Sequence, residues 1–182
     1  MTRPFLAGAF GLALLSTASY AQAPVMATPA GGTTSPIDRQ FEARAAASNT
    51  FEIRSSEMAL RRSHDPAVRD LARWMIESHT AAAHALAAVA DTTAMPETAG
   101  PVETPETNAM LAELAGLQGA DFDRAYVSDQ VSAHALTAQQ MSDYAVQGSY
   151  APLLRYEAMT RPEVEQHLAH FRALDASMSR PL

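Results

Sequence analysis

The sequence predicts an all-α fold: a four-helix bundle with one short extra helix. Three observations carry that prediction. Long stretches free of Pro and Gly alternate with short breaker segments. Within those stretches apolar residues recur at spacings of three and four. Nowhere does the chain alternate apolar and polar residues with the period of a half-buried strand.

The first long helix is expected from Asp38 to about Arg62. His64-Asp65-Pro66 ends it and opens the second. The Asp65 carboxylate can accept from the free N–H groups of a new first turn, and Pro66 stands where its missing donor costs nothing. That second helix runs to about Ala90. Residues 91–105 (DTTAMPETAGPVETP) form a loop, and a short helix follows from about Glu106 to Leu117. Thr104-Pro105 introduces the short helix and Gly119 stops it. Asp121 caps a third long helix reaching about Gln147. Gly148-Ser149 separates it from a fourth, about Tyr150 to Met178, and residues 179–182 are a short tail. Pro162 removes a backbone donor and is expected to kink or restart the last helix.

Connection lengths set the topology. The first and second long helices, and the third and fourth, are joined by tight turns, so each pair should form an antiparallel hairpin. The second and third are separated by about thirty residues, enough to run the length of a bundle. One long crossover of this kind is the ferritin-like arrangement.

The N-terminus reads MTRPFLAGAFGLALLSTASYAQAP. One basic residue, Arg3, precedes an apolar run from about Phe5 to Leu15, and Ser19 and Ala21 sit at the −3 and −1 positions of a cleavage site. This is the form of a secretory signal peptide over 1–21, too short in its apolar part to remain as a membrane anchor. Residues 22–37 are then a tether rich in small residues, Pro and Gly. The expected location is outside the cytoplasm, in the periplasm or envelope. The 182 residues contain no Cys, which excludes disulfides, thiolate metal ligands and cysteine catalysis. A formal charge of −7 argues against sequence-independent nucleic-acid binding. All 13 basic residues are Arg, which reflects codon usage and carries no functional message. No later segment is long and apolar enough to span a bilayer.

Helical seams place the histidines. In the second long helix the seam is Val68, Ala72, Met75, His79, Ala82, Leu86, Val89. His84 lies five residues past His79, about 140° around the helix, and faces solvent. The third long helix gives Val127, Val131, His134, Ala138, Met141, Ala145. The fourth gives Val164, His167, Phe171, Leu174, Met178. In the first, Phe41, Ala45, Ser48, Glu52, Ser55, Ala59 competes with a seam through Thr50, Ile53, Glu57 and Leu60. Glu52, His79 and His134 each stand about thirteen residues into their helices, and His167 about eleven from the end of its own. At a rise of about 1.5 Å per residue all four fall near mid-bundle.

Three imidazoles and a carboxylate in one interior layer have two readings. They either bind a divalent transition metal, or form a hydrogen-bonded layer that fixes helix register. The di-iron pattern is missing: Ile76, Val131 and Val164 occupy the positions three before the histidines, where Glu would be needed. Glu163, four before His167, is a substitute and not the motif. No nucleophile elbow, phosphate loop or HExxH helix occurs, so the chain is not expected to be an enzyme. The nine Met at helical spacing read as core filling. Arg61-Arg62 favour the C-terminal helix dipole, and Trp74, beside a seam, reads as partly buried packing.

Four stretches, FEARAAASNTFEIRSSEMAL, DPAVRDLARWMIESHTAA, GADFDRAYVSDQVSAHALT and RPEVEQHLAHF, resemble a bacterial secreted family catalogued as domain of unknown function 4142. That family is placed with the ferritin-like proteins, and the resemblance covers about residues 38–176. It implies an exported ferritin-like bundle with no assigned biochemical activity; the function expected of the chain is a non-catalytic one in envelope or stress physiology or as a partner-binding module, with sequestering or sensing a transition metal as the alternative. The positions typical of the family are Glu52, His79, His134 and His167. Family members often carry Asp just before the second-helix histidine; here Ser78 stands there, with Glu77 one residue earlier.

Overall fold

The computed structural model describes residues 34–93 and 104–179, with side chains over 34–89 and 104–179. The expected signal segment, the tether up to residue 33 and most of the loop 91–105 lie outside the described residues. Those described form five helices and no strand: α1 (Pro36–Arg62), α2 (Pro66–Thr93), α3 (Pro105–Gly116), α4 (Gly119–Gln147) and α5 (Ala151–Met178).

Local chemistry sets the boundaries. Ser35 and Asp38 cap α1 reciprocally: Asp38 N–H donates to Ser35 Oγ (3.2 Å) and Ser35 N–H to Asp38 Oδ2 (2.8 Å). With Pro36 pre-set for the first turn, the helix begins two residues before the expected Asp38. Asp65 accepts from the Ala67 and Val68 amides, as its position before Pro66 predicts. Thr104 caps α3. Helix α4 begins at Gly119 and not at Asp121. Gly119 takes φ +58°, a left-handed turn that swings the chain from α3 straight into the next helix. Asp121 then falls inside the first turn, where it pairs with Arg124.

Pro162 does not restart α5, which is continuous from Ala151 to Met178. Pro162 lies on the exposed side, so the Ala158 carbonyl it leaves without a helical donor meets solvent.

α1 packs on α2 and α4 on α5, as the tight turns require, and the α1–α4 and α2–α5 contacts close the ring. Short α3 lies against α1 and α4 and buries Leu111 and Leu114. Arg62 Nη1 donates to the Leu117 carbonyl at its C-terminus (2.8 Å), so one of the two terminal arginines of α1 serves α3.

The seams through Val68, His79 and Leu86, through Val127, His134 and Met141, and through Val164, His167 and Phe171 are buried. In α4 the seam drifts at its end, where Tyr144 is inside and Ala145 exposed. In α1 the seam through Phe41, Ala45, Glu52, Ser55 and Ala59 is the buried one; Glu57 of the competing seam is exposed. These faces build two apolar cores. One holds Phe41, Leu86, Met141, Leu153 and Val164; the other holds Val68, Met75, Phe122, Val127 and Phe171. At about 1.5–3 kcal/mol for each large side chain buried, they supply the main drive for folding.

Asp38 locks one end of the assembly. Its fully buried carboxylate accepts from Tyr144 Oη (2.7 Å), Ser149 N (3.0 Å), Ser149 Oγ (2.8 Å) and Tyr150 N (3.2 Å), tying the first turn of α1 to the α4–α5 turn. Burial opposes the charge, but these donors together hold the carboxyl well below the usual carboxylate range. Asp38→Ala would strand those donors and is expected to cost about 3 kcal/mol in urea unfolding, whereas exposed His84→Ala should change stability by less than about 0.5 kcal/mol.

Candidate metal centre

Between the two apolar cores lies a polar layer to which every long helix contributes. α1 supplies Asn49, Glu52, Ser55 and Ser56; α2 supplies Ser78 and His79; α4 supplies Gln130 and His134; α5 supplies His167. His79 is 3% exposed, and His134, His167 and Glu52 are 1% exposed. The three imidazoles meet pairwise with ring centroids 5.5 Å (His79–His134), 5.5 Å (His79–His167) and 5.4 Å (His134–His167) apart. One nitrogen from each lies within 4.8 Å of the others, so a common centre stands about 2.8 Å or less from all three. Inward rotations of under about 1 Å would bring them to the 2.0–2.1 Å of a metal–imidazole bond.

Neighbours fix two of the tautomers. His79 Nδ1 faces Asn49 Oδ1 at 3.0 Å, while Asn49 Nδ2 donates to Tyr156 Oη (3.3 Å). The Asn49 oxygen is therefore the acceptor, Nδ1 carries the hydrogen, and His79 Nε2 keeps its lone pair. His134 Nδ1 is 2.9 Å from the Gln130 carbonyl, which can only accept, so His134 Nε2 also keeps a lone pair. Neither Nε2 has a hydrogen-bond partner in the protein, and neither ring nitrogen of His167 has one.

Burial pushes all three imidazoles toward the neutral form. His134 is lowered to about 4 by burial and by His167 nearby, against the Gln130 carbonyl, which raises it. His167 is lowered to about 4 by burial, helped by His170. His79 goes well below the ordinary imidazole range through burial and its two histidine neighbours. Neutral imidazole is the ligating form.

Glu52 is brought to the layer but stands behind His134. Its Oε1 is 3.6 Å from His134 Nδ1, the protonated side of the ring, and outside the group of three nitrogens. Burial, reinforced by Asp129 and opposed by the Gln130 amide, pushes its carboxyl up to about 8. With Glu52 neutral and His134 neutral the contact is not an ion pair. The Gln130 carbonyl is the group that orients His134 from its non-ligating side, and Glu52 packs beside it without a hydrogen bond.

The sequence placed His79, His134, His167 and Glu52 in one layer, and the structure brings the three histidines together with Glu52 alongside. Asn49 and Gln130 were missed, although Asn49 is three before Glu52 and Gln130 four before His134, on the same helix faces. His84 is exposed. Trp74, half-buried, sets its ring edge-on to His167 at 4.4 Å between centroids and to His170 at 5.1 Å.

The family model described as domain of unknown function (DUF4142) matches residues 23–174, most of the chain. The chain belongs to the DUF4142 family. No curated protein matches it. Its fold is similar to that of a DUF305 fragment from Deinococcus radiodurans (15% identity, TM-score 0.70, covering 80% of this chain and 99% of that one). A DUF305 protein from Streptomyces coelicolor is likewise similar (16% identity, TM-score 0.66, covering 78% and 93%). At such identities the likeness is one of fold.

Stability of this DUF4142 chain without metal should follow the layer's titration. Each imidazole lowered in the folded state contributes fully above its ordinary 6.5, and that contribution is lost as pH falls toward 4. Glu52, raised from 4.5 to about 8, and Asp129, raised from 3.8 to about 6, work oppositely and lose their contributions as pH rises through those ranges. Glu42, raised by burial, adds to the carboxyls, so below about 6 the opposing groups largely offset one another; from there to 6.5 the imidazoles prevail, and above it the raised carboxyls remain. Thermal melts of metal-free protein should therefore peak near pH 6.5 and fall on both sides, and a profile rising steadily to pH 8 would contradict the assignment.

Proposed function

We propose that this chain is an exported, non-catalytic bundle of ferritin-like type that holds one transition-metal cation between His79, His134 and His167. The observation that carries the reading is the convergence of one nitrogen from each of three buried imidazoles to within 4.8 Å of one another. Missing partners alone do not mark the site, since the Glu52 oxygens and Gln130 Oε1 in the same layer also lack them; the convergence does. Here Asn49 and the Gln130 carbonyl satisfy the outward nitrogens of His79 and His134, and the other nitrogens converge unpaired.

The donor set points to a borderline cation such as zinc or copper. Neutral imidazoles without thiolates or a shell of carboxylates suit those ions and not calcium or magnesium. The Gln130 carbonyl would orient His134 from behind. The two described grooves run along the α1–α4 face, and neither is lined by a site histidine. The Arg3, Phe5–Leu15 and Ser19/Ala21 pattern supports export to the periplasm or envelope.

The single tryptophan provides the readout, since Trp74 touches His167. Titration with Cu2+ should quench its fluorescence at one equivalent, and Zn2+ should compete. Dissociation constants should be about 10 µM or tighter, and His134→Ala should weaken binding by about 100-fold. A wild-type protein with no site tighter than tens of micromolar, or a His134→Ala variant that binds equally well, would overturn the reading.

A further inference from the structure

A buried centre needs a route for its cation, and one side of the layer offers it. His79 and His134 have their outward nitrogens engaged by buried groups of α1 and α4. His167 differs: both its ring nitrogens are without hydrogen bonds, and its neighbours reach solvent. Glu163 Oε1 lies 3.9 Å from His167 Nε2 with its side chain 45% exposed, while the His167 side chain is 1% exposed. Trp74 leans on the same imidazole, and exposed His170 lies on the far side of that indole contact. Trp74 of α2 meets His167 and His170 of α5 across the seam between the two helices, and Glu163 stands one turn before His167 on α5.

Glu163 also differs from its neighbours in charge pairing. Arg161 is engaged by Glu157 (2.7 Å) and Glu165 (3.2 Å), which leaves Glu163 without a cationic partner among the described residues. A carboxylate half in water, touching the one imidazole of the centre that no hydrogen bond restrains, can bind a hydrated cation and pass it inward as the ring turns.

Resting on the metal-centre reading, we propose that Glu163 is the capture residue through which the cation reaches His167 and the buried centre, by way of the α2–α5 seam. Glu163 acts on the rate of loading, whereas the Gln130 carbonyl acts behind His134 on its orientation.

The test is stopped-flow mixing of the full mature chain with Zn2+ alone and with Co2+ alone, followed by Trp74 fluorescence. Glu163→Gln should slow association about tenfold, with Glu163→Asp recovering most of the rate. Glu165→Gln, a surface charge two residues away, should leave the rate within about twofold, since it faces Arg161 and not the imidazole. Unchanged association in Glu163→Gln overturns the inference even where dissociation quickens, because Glu163 would then hold the cation and not admit it. Equal slowing in Glu165→Gln also overturns it, because the effect would belong to overall charge. A wild-type chain that takes up neither ion overturns the metal-centre reading itself, and the capture role falls with it.

Discussion

Three imidazoles that must stay neutral, and a carboxyl that keeps its proton, divide the interior of this protein. Removing such groups from water is unfavourable unless partners replace the water, so the layer imposes conditions on the helices around it. α1 must present Asn49 to His79, and α4 must leave the Gln130 carbonyl free for His134. The apolar cores above and below seal the layer, with Phe171 5.7 Å from His134 between ring centroids on one side and Val164 on the other. Register in all four long helices is tied to this plane, because shifting any one by a residue would turn its polar group into an apolar layer.

Much of this was legible in the sequence because helices are periodic. Val68, Met75, His79 and Leu86 can share a face only at helical spacing, and their burial follows from it. The rise per residue put Glu52, His79, His134 and His167 at one height. Helix α1 was the ambiguous case because it has few large apolar residues; Ala and Ser serve on its buried face, and a pattern of small residues marks a face weakly.

What spacing could not supply is direction within the layer. Glu52 lies at the right height, yet it approaches His134 from Nδ1 and so stands outside the trio. That placement depends on side-chain rotamers and on which nitrogen the Gln130 carbonyl engages. Asp38 illustrates the same limit. It reads as a residue at a helix start, and only the return of the chain at Ser149 and Tyr150 makes it the fastening of the α4–α5 turn. Gly119 is a third case, since its positive φ, invisible in a composition of small residues, moves the start of α4 ahead of Asp121.

The arrangement combines a braced rear with one imidazole that no hydrogen bond restrains. Asn49 and the Gln130 carbonyl brace two imidazoles from behind, while His167 faces Trp74 and Glu163 with neither nitrogen tied. In the proposed centre these three side chains, and no surface carboxylates, form the binding locus. Anomalous diffraction at the zinc edge from crystals grown with one equivalent of Zn2+ tests that most directly. The expected result is a single strong peak within about 2.1 Å of one nitrogen each of His79, His134 and His167. Zinc found only at exposed carboxylates, with the three rings unmoved and no peak between them, would contradict it.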